Sequence, residues 1–281
     1  MQGGLPDKEE ESKMVSLVDF GDLQPGDIIF IPPMEPIAAR LATGIFKGIG
    51  CRAEVLRENE RTLEIGLKHT SGNECTPCPS TIGSLIATIE ERGLDPEHVV
   101  FFMPTTCGPC RFGQYGTLAS LVFQSKGWDK IKILGPNAEN AYGGMEGRTR
   151  RLLWHCIVVS DVINKIVFKI RPYEMNKGEI DALTEEFVER MTDEFSKEDP
   201  KIEAVLKEYV EVVKSVPLRN EKRPKVAVVG EIYVRHDPFI NRNLIRYIEQ
   251  RGGEALACTV GEWILYCAAV ERRRTRRSPG R

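Results

Sequence analysis

Short apolar runs alternate with amphipathic stretches along the first half of the chain. Residues 28–31, bounded by Asp27 and Pro32, form a continuous apolar run, which predicts a buried strand. Over residues 37–47 apolar side chains recur at a helical period, and a further strand is predicted over residues 53–56. A strand, a helix and a strand in this order form a βαβ unit, for which a parallel sheet is expected.

The same alternation continues toward the middle of the chain. It predicts helices and strands in turn, over residues 80–91, 99–103, 112–125 and 130–134. The strand over 99–103 is apolar throughout, which is typical of a strand buried on both faces of a sheet. Ser80 and Thr81 are the expected capping residues of the helix over 80–91.

Beyond residue 137 the pattern changes to long charged helices and then returns to strands. Helices are predicted over residues 150–170 and 177–216, the second as one charged helix or a helix pair. After a polar linker at 217–224, a second unit is predicted as strand, helix and strand over residues 225–229, 240–250 and 254–259. Too few residues follow to complete a five-stranded sheet, so this unit is expected to be incomplete.

The predicted fold class is therefore α/β, with two parallel-sheet domains of flavodoxin-like or Rossmann-like type joined by a helical connector. The second domain is expected to be incomplete. The predicted segments are a disordered leader, an α/β domain that carries the candidate site, a helical connector, a partial second α/β domain and an arginine-rich tail, at residues 1–14, 15–136, 137–222, 223–270 and 271–281.

Composition and charge narrow the range of functions. The chain has 281 residues, of which 41% are apolar, enough for packed cores. A formal net charge of -2 argues against a surface built for nucleic acid. Residues 271–281 hold six arginines and one glutamate, so this tail carries +5 and the other residues carry -7. A solvated end is the simpler interpretation of the tail, and an acidic partner or nucleic acid is the alternative.

Cysteine usage indicates metal or redox chemistry. The sequence has no membrane-spanning apolar run and no apolar signal segment near its first residue, so we expect a cytoplasmic protein without membrane contact. Cytosolic thiols are kept reduced, which argues against structural disulfides among the eight cysteines. Glycine-rich nucleotide motifs are absent, so we do not expect ATP hydrolysis by this chain.

Four of the eight cysteines form two Cys-x-x-Cys pairs, Cys75 with Cys78 and Cys107 with Cys110. This spacing lets both thiolates of a pair reach one metal from a single turn of backbone. A zinc knuckle, a thioredoxin-type redox pair and buried apolar cysteines are the alternatives. The 28 residues between Cys78 and Cys107 exceed the usual spacing of a zinc ribbon. Metal binding is favoured, with iron–sulfur and zinc equally supported by the spacing.

The position of both pairs in the predicted fold agrees with a ligand site. Cys75 and Cys78 precede the helix over 80–91, whose N-terminus would stabilise thiolates and anionic sulfides. Cys107 and Cys110 follow the buried strand over 99–103. Both pairs are therefore expected at the carboxyl end of the sheet, where open α/β sheets bind ligands.

The motifs that carry these cysteines resemble those of the 2-hydroxyacyl-CoA dehydratase superfamily. The matching runs are residues 70–78 (TSGNECTPC) and 103–115 (MPTTCGPCRFGQY). They are most similar to the activase-associated branch, whose relatives include benzoyl-CoA reductase subunits and double-cubane cluster proteins. A weaker third match is VGEIYVR at 229–235, and the resemblance spans residues 28–266.

This resemblance implies an iron–sulfur cluster, either 4Fe-4S or double-cubane. It implies Cys75, Cys78 and Cys110 as ligands, with Cys107 as the fourth candidate. It further implies low-potential electron transfer to a substrate, with a CoA thioester as the substrate class. The implied partner is an ATP-dependent activase that carries its own 4Fe-4S cluster, and a second subunit or a homodimer is a further expected partner.

Four residues beside the cysteines are candidate catalytic residues. Glu74 is a candidate acid or base, and a capping carboxylate is its simpler interpretation. Arg111 and Gln114 are candidate donors to cluster sulfides, and Tyr115 is a candidate proton donor. For Arg111, Gln114 and Tyr115 a surface or packing role is equally supported. The isolated cysteines are expected to be structural, with Cys258 as the candidate exception: Cys51, Cys156, Cys258 and Cys267.

Three functions remain open from the sequence. The first is an iron–sulfur reductase or dehydratase component that delivers single electrons to a substrate. The second is a scaffold or relay subunit that holds a cluster without catalysis, which the incomplete second domain favours. The third is a zinc-stabilised binding module, which the cysteines alone would allow.

Overall fold

The computed structural model describes residues 17–106, 110–137, 140 and 142–277. The predicted leader at 1–14 therefore lies outside the described residues. The described chain forms two compact units. The first contains residues up to Pro33 together with Ile45–Arg151, and the second contains Met34–Gly44 together with the residues from Leu152 onward.

The first unit is built on four strands and their connecting helices. The strands are β1 (Ile28–Ile31), β2 (Arg52–Val55), β3 (Val99–Phe102) and β4 (Lys132–Leu134). The helices are α1 (Pro36–Gly48), whose first residues belong to the second unit, α2 (Glu60–Lys68), α3 (Pro77–Arg92) and α4 (Tyr115–Ser125). Single turns of 3-10 helix lie at Phe20–Asp22, Pro96–His98 and Arg111–Gln114.

All four strands are parallel and lie in the order β2-β1-β3-β4. Ile28 aligns with Arg52 on one side and with Val99 on the other. Every residue of β1 and β3 is buried, as continuous apolar runs in a covered parallel sheet require. The predicted α/β class and parallel sheet are confirmed.

The second unit is mainly helical and contains a small sheet. Its elements are α5 (Gly147–Ile170), which starts in the first unit, α6 (Glu179–Phe195), α7 (Ile202–Lys214), β5 (Lys225–Val228), α8 (Ile232–His236), α9 (Leu244–Gln250), β6 (Glu254–Ala257) and α10 (Val260–Arg277). A 3-10 turn lies at Arg171–Tyr173. Strands β5 and β6 pair in parallel, and no third strand joins them among the described residues.

The two longest described helices are α5, with 24 residues, and α10, with 18. Helix α10 continues to Arg277, so the described part of the arginine-rich stretch is helical. The remainder of the predicted tail, 278–281, lies outside the described residues. No helix in the described part of the chain is long and apolar enough to cross a lipid bilayer.

The capping residues predicted for the helix over 80–91 are wrong. Helix α3 starts at Pro77, so Ser80 and Thr81 lie inside it and are fully buried. Proline fits the first helical turn because its fixed φ suits the helix and it has no N–H to leave unpaired. The early start places Cys78 in the first turn of α3.

Helix α2 was not predicted from the sequence. A capping box starts it: the Asn59 side chain accepts from the Thr62 N–H at 3.0 Å, and the Thr62 hydroxyl accepts from the Asn59 N–H at 2.9 Å. The pairing satisfies two backbone donors and stabilises a helix of only nine residues.

Helices α2 and α3 meet backbone to backbone. A Cβ added at Gly83 would overlap the Thr62 carbonyl oxygen, and one added at Gly66 would overlap the Pro79 carbonyl oxygen. Both glycines are therefore required by the space available at the crossing, although neither has positive φ. The contact fixes the first turn of α3, in which Pro79 follows Cys78.

We predict that Gly83→Ala destabilises the first unit by about 1–3 kcal/mol, because the added methyl group must push α2 and α3 apart. Gly116→Ala is the matched control, since an added Cβ there meets only Ile133 Cγ2, at 3.7 Å. The control should leave the free energy of unfolding within about 1 kcal/mol of the wild type. Urea unfolding followed by circular dichroism measures both, and equal midpoints for the two variants would contradict the tight crossing.

Candidate functional site

The first cysteine pair lies where the chain enters α3. The Cys78 N–H donates to the Cys75 carbonyl at 2.9 Å, so the backbone turns tightly between the two cysteines. Thr76 is the residue before the helix, and its side chain makes no capping hydrogen bond. The Cys75-x-x-Cys78 spacing thus becomes one turn with both side chains close to the helix N-terminus.

The two thiols of this pair differ in environment. Cys78 is 1% exposed and belongs to the apolar core of the first unit, while Cys75 is half-buried against that core. Burial, together with the smaller effects of the nearby charges of Glu74 and Cys75, raises the pKa of Cys78 to about 12. A thiolate at Cys78 therefore requires a positive partner, and a bound metal would release its proton.

Glu74 closes the turn in front of the cysteine pair. Its carboxylate accepts from the Ser71 N–H at 3.1 Å, from the Ser71 hydroxyl at 2.9 Å and from the Gly72 N–H at 2.9 Å. Hydrogen bonds from the backbone N–H groups of Glu74 and Ser71 hold the pKa of this carboxyl below its usual value. Glu74 is therefore ionised at neutral pH, which favours a fixed acceptor or base over an acid.

Hydrogen bonds hold the described residues on either side of the second pair, up to Thr106 and from Cys110 onward. The Thr105 hydroxyl donates to the Gly113 carbonyl at 3.2 Å, and the Gly113 N–H donates to the Cys110 carbonyl at 3.1 Å. A Cβ at Gly113 would lie 2.6 Å from the Thr106 carbonyl oxygen, so only glycine fits there. Cys110 is exposed, and Cys107 lies outside the described residues.

Arg111 connects the loops of the two cysteine pairs. Its Nη1 donates to the Asn73 carbonyl at 2.6 Å. Asn73 lies two residues before Cys75, and Arg111 lies directly after Cys110. Sequence analysis predicted that both pairs lie at the carboxyl end of the sheet, and this bond joins a residue that flanks Cys75 to a residue that flanks Cys110. It also engages one of the Arg111 side-chain donors with backbone.

The other two candidate catalytic residues differ in position. Gln114 is exposed at the end of the 3-10 turn. Tyr115 is 5% exposed and packs edge-to-face on Phe112, with ring centroids 5.3 Å apart. The Tyr115 ring is thus part of the core that supports the loop.

The donor chemistry of this region fits a thiophilic metal. Two buried hydroxyls, of Thr70 and Ser80, make no hydrogen bond within the described residues. Hydroxyl donors of this kind can bond the sulfur atoms of a metal site. No group of three or more His, Cys, Asp or Glu side chains is arranged to hold a metal in the described part, so Cys75, Cys78 and Cys110 do not form a ligand set by themselves. Thiols and hydroxyls as donor types suit iron–sulfur and zinc alike.

A second polar centre in the other unit was missed by the sequence analysis. Glu35 accepts from Asn164 Nδ2 at 2.9 Å, and Asp161 accepts from the Gly261 N–H at 2.8 Å. Both acids are at least nine-tenths buried, as is His236, whose pKa burial lowers. The sequence contains an indication of this polar centre, because Asp161 and Asn164 interrupt the apolar pattern of the helix predicted over 150–170.

The isolated cysteines have varied environments. Cys156 is buried, and burial raises its pKa well above the usual value. Cys51 is half-buried, and burial also raises its pKa. Cys258 and Cys267 are exposed. All of the described cysteines are free thiols, as expected for a chain without structural disulfides.

In the metal-free protein we predict that iodoacetamide modifies Cys110 well before Cys78. Because the pKa of Cys78 is raised to about 12, its thiol stays protonated as the pH rises to 9, where only about one molecule in a thousand is ionised. Mass spectrometry of the peptides measures both sites. Protein unfolded in urea is the control and should lose the difference, whereas equal labelling of the folded protein would contradict the burial of Cys78.

Comparison with known proteins assigns no family to this chain. No protein-family model matches it, and no curated protein gives a significant match. The resemblance to the 2-hydroxyacyl-CoA dehydratase superfamily therefore rests on the motifs at 70–78, 103–115 and 229–235 alone.

Proposed function

We propose that this chain is an iron–sulfur protein of the 2-hydroxyacyl-CoA dehydratase type. Cys75, Cys78, Cys107 and Cys110 would hold a 4Fe-4S or double-cubane cluster. When bound, the cluster would supply single electrons at low potential to a substrate, for which we propose a CoA thioester. The observation that carries the proposal is the Arg111–Asn73 bond, which brings together the flanking residues of two Cys-x-x-Cys pairs.

The architecture of the first unit supports this proposal. We propose a flavodoxin-like topology, because the strand order β2-β1-β3-β4 equals the first four strands of the flavodoxin order. In such sheets ligands bind beyond the carboxyl ends of the strands, and the loop with Cys110 follows β3. Free thiols throughout the described chain agree with a cytoplasmic location.

Each residue near the cysteines has a proposed role. Cys78 would give up its proton on metal binding, since its thiol is neutral without a cation. Glu74 would fix the turn before Cys75 through its backbone hydrogen bonds. Arg111 and the exposed Gln114 would donate hydrogen bonds to cluster sulfur, and Tyr115 would support the loop from the core or donate a proton.

A relay or scaffold subunit is the second candidate function. The sheet of the second unit has two strands in the described residues, fewer than a doubly wound domain uses to form a substrate crevice. A subunit of this kind would hold the cluster and pass electrons to a second subunit, without binding substrate itself. A zinc-stabilised module has the support of the cysteine spacing only.

An ATP-dependent activase is the proposed electron donor. Lowering the potential of one electron by 100 mV costs about 2.3 kcal/mol, so a low-potential site needs an energy source. The sequence offers no phosphate-binding motif of its own. A separate ATPase with its own 4Fe-4S cluster, as in the superfamily that the motifs resemble, would meet this need.

Anaerobic purification is predicted to give a brown protein with about four irons per cluster. Cys75→Ser and Cys78→Ser should each lose the iron, because each removes a thiolate from the turn that enters α3. Cys51→Ser is the matched control and should retain it, since Cys51 is a half-buried thiol outside both pairs. Stoichiometric zinc in a colourless protein would instead favour the binding module.

Reduction of the cluster is predicted to require an activase. Electron paramagnetic resonance should show no change with dithionite alone, and a reduced-cluster signal when an activase of the resembling superfamily and ATP are added. The control replaces ATP with a non-hydrolysable analogue, which should give no reduced-cluster signal. Tight ATP binding by the isolated chain in calorimetry would contradict this division of roles.

A further inference from the structure

A cluster of polar side chains lies at the carboxyl edge of the small sheet in the second unit. Arg235 and His236 end α8, the helix that follows β5, and Cys258 and Thr259 follow β6 directly. His236 Nε2 lies 3.1 Å from the Cys258 carbonyl oxygen, so the two segments are in contact. In parallel sheets this edge is where ligands bind.

Arg235 is a buried cation that forms no ion pair with the described residues. Its side chain belongs to a residue that is 8% exposed, and its single hydrogen bond among the described residues runs from Nη1 to the Gly230 carbonyl at 3.2 Å. Nε and Nη2 have no partner in the described part of the chain. Because guanidinium is not deprotonated in proteins, this arrangement buries an uncompensated positive charge, which is costly.

The two unpartnered atoms are those that bind oxyanions. Nε–H and Nη2–H lie on one side of the planar guanidinium and point in parallel, which matches the two oxygens of a carboxylate or a phosphate. A water molecule would satisfy one donor and leave the charge uncompensated. A small oxyanion would satisfy both donors and the charge together.

Asp161 and Glu262 are the acidic residues whose charges act on Cys258, as the charge of Arg235 does. Asp161 Oδ2 accepts from the Gly261 N–H, whereas Asp161 Oδ1 is buried without a hydrogen-bond partner in the described part of the chain, and burial raises the pKa of this carboxyl. Glu262 accepts from Lys165 Nζ at 2.6 Å and from the Thr259 N–H at 3.1 Å. Neither carboxylate forms an ion pair with Arg235 in the described part of the chain.

We propose that Arg235 is the anchor of a binding site for an oxyanion, a carboxylate or a phosphate group, next to the Cys258 thiol. Cys258 is exposed and close enough for the charge of Arg235 to act on its pKa, against the larger opposing effect of burial. The site belongs to the second unit and does not depend on the proposed cluster.

The anion would enter past the loop that links β5 to α8. Nε and Nη2 are covered in this structure, so the loop must move for an anion to reach them. Val229 in this loop is 82% exposed, and Gly230 has a φ of 137°, which favours glycine. The Arg235 side chain donates to the Gly230 carbonyl in this loop, a hydrogen bond that an incoming anion would replace, while the Arg235 backbone N–H donates to the Glu231 carbonyl at 3.0 Å.

The test compares two alkylating reagents that differ in charge. Iodoacetate carries a carboxylate and iodoacetamide is neutral, so a guanidinium beside Cys258 should favour iodoacetate. The ratio of the two rates, measured by mass spectrometry at pH 8.5, cancels differences in thiol ionisation. Cys267, an exposed thiol on α10, is the internal control. We expect the ratio at Cys258 to exceed that at Cys267 by about tenfold.

Arg235→Met should bring the ratio at Cys258 down to that at Cys267, and Arg235→Lys should keep part of the preference. In the wild type, inorganic phosphate or acetate should lower the rate at which iodoacetate alkylates Cys258, when chloride is used to keep the ionic strength constant. Competition by phosphate alone, by acetate alone or by both identifies the anion and supports the site. An equal ratio at the two cysteines, or an absence of competition by either anion in the wild type, would overturn the proposal even if Arg235→Met fails to fold.

Discussion

The contact between α2 and α3 is the constraint on which the candidate metal site depends. The helices approach so closely at Gly66 and Gly83 that neither position has room for a side chain. Pro79 contributes the carbonyl that meets Gly66, and it follows Cys78 directly. The position of the buried thiol is therefore determined by helix packing, which is more rigid than a surface loop.

Burial has two effects on Cys78. It keeps the thiol protonated and unreactive in the absence of a cation, because the charged form loses solvation. It would also strengthen the bond to a metal, because water is excluded from the sulfur. Glu74 adds negative charge nearby, which opposes a free thiolate but would favour a cationic metal. A neutral buried thiol thus lies beside a fixed negative charge, a combination that a bound cation would stabilise.

Sequence patterns predicted the sheet better than the helix starts. Strands β1 and β3 are buried on both faces, so their apolar runs are continuous and easily recognised. Helix α2 was missed because it is short and carries a glycine at its tightest contact, which the pattern treats as a helix breaker. Ser80 and Thr81 were misassigned as caps since local preference cannot show that Pro77 already starts the helix. The Arg111–Asn73 bond joins residues far apart in sequence, and no local signal contains it.

Cys78 and Arg235 are both buried ionisable side chains, and they differ in whether the charged form can be avoided. Cys78 can avoid an uncompensated charge by keeping its proton, so the fold tolerates it with or without a metal. Arg235 has no such alternative, because guanidinium stays charged at every pH at which a protein folds. Its buried Nε and Nη2 have no hydrogen-bond partner among the described residues. For this reason the arginine is the stronger indication of a ligand, although sequence analysis singled out the cysteines first.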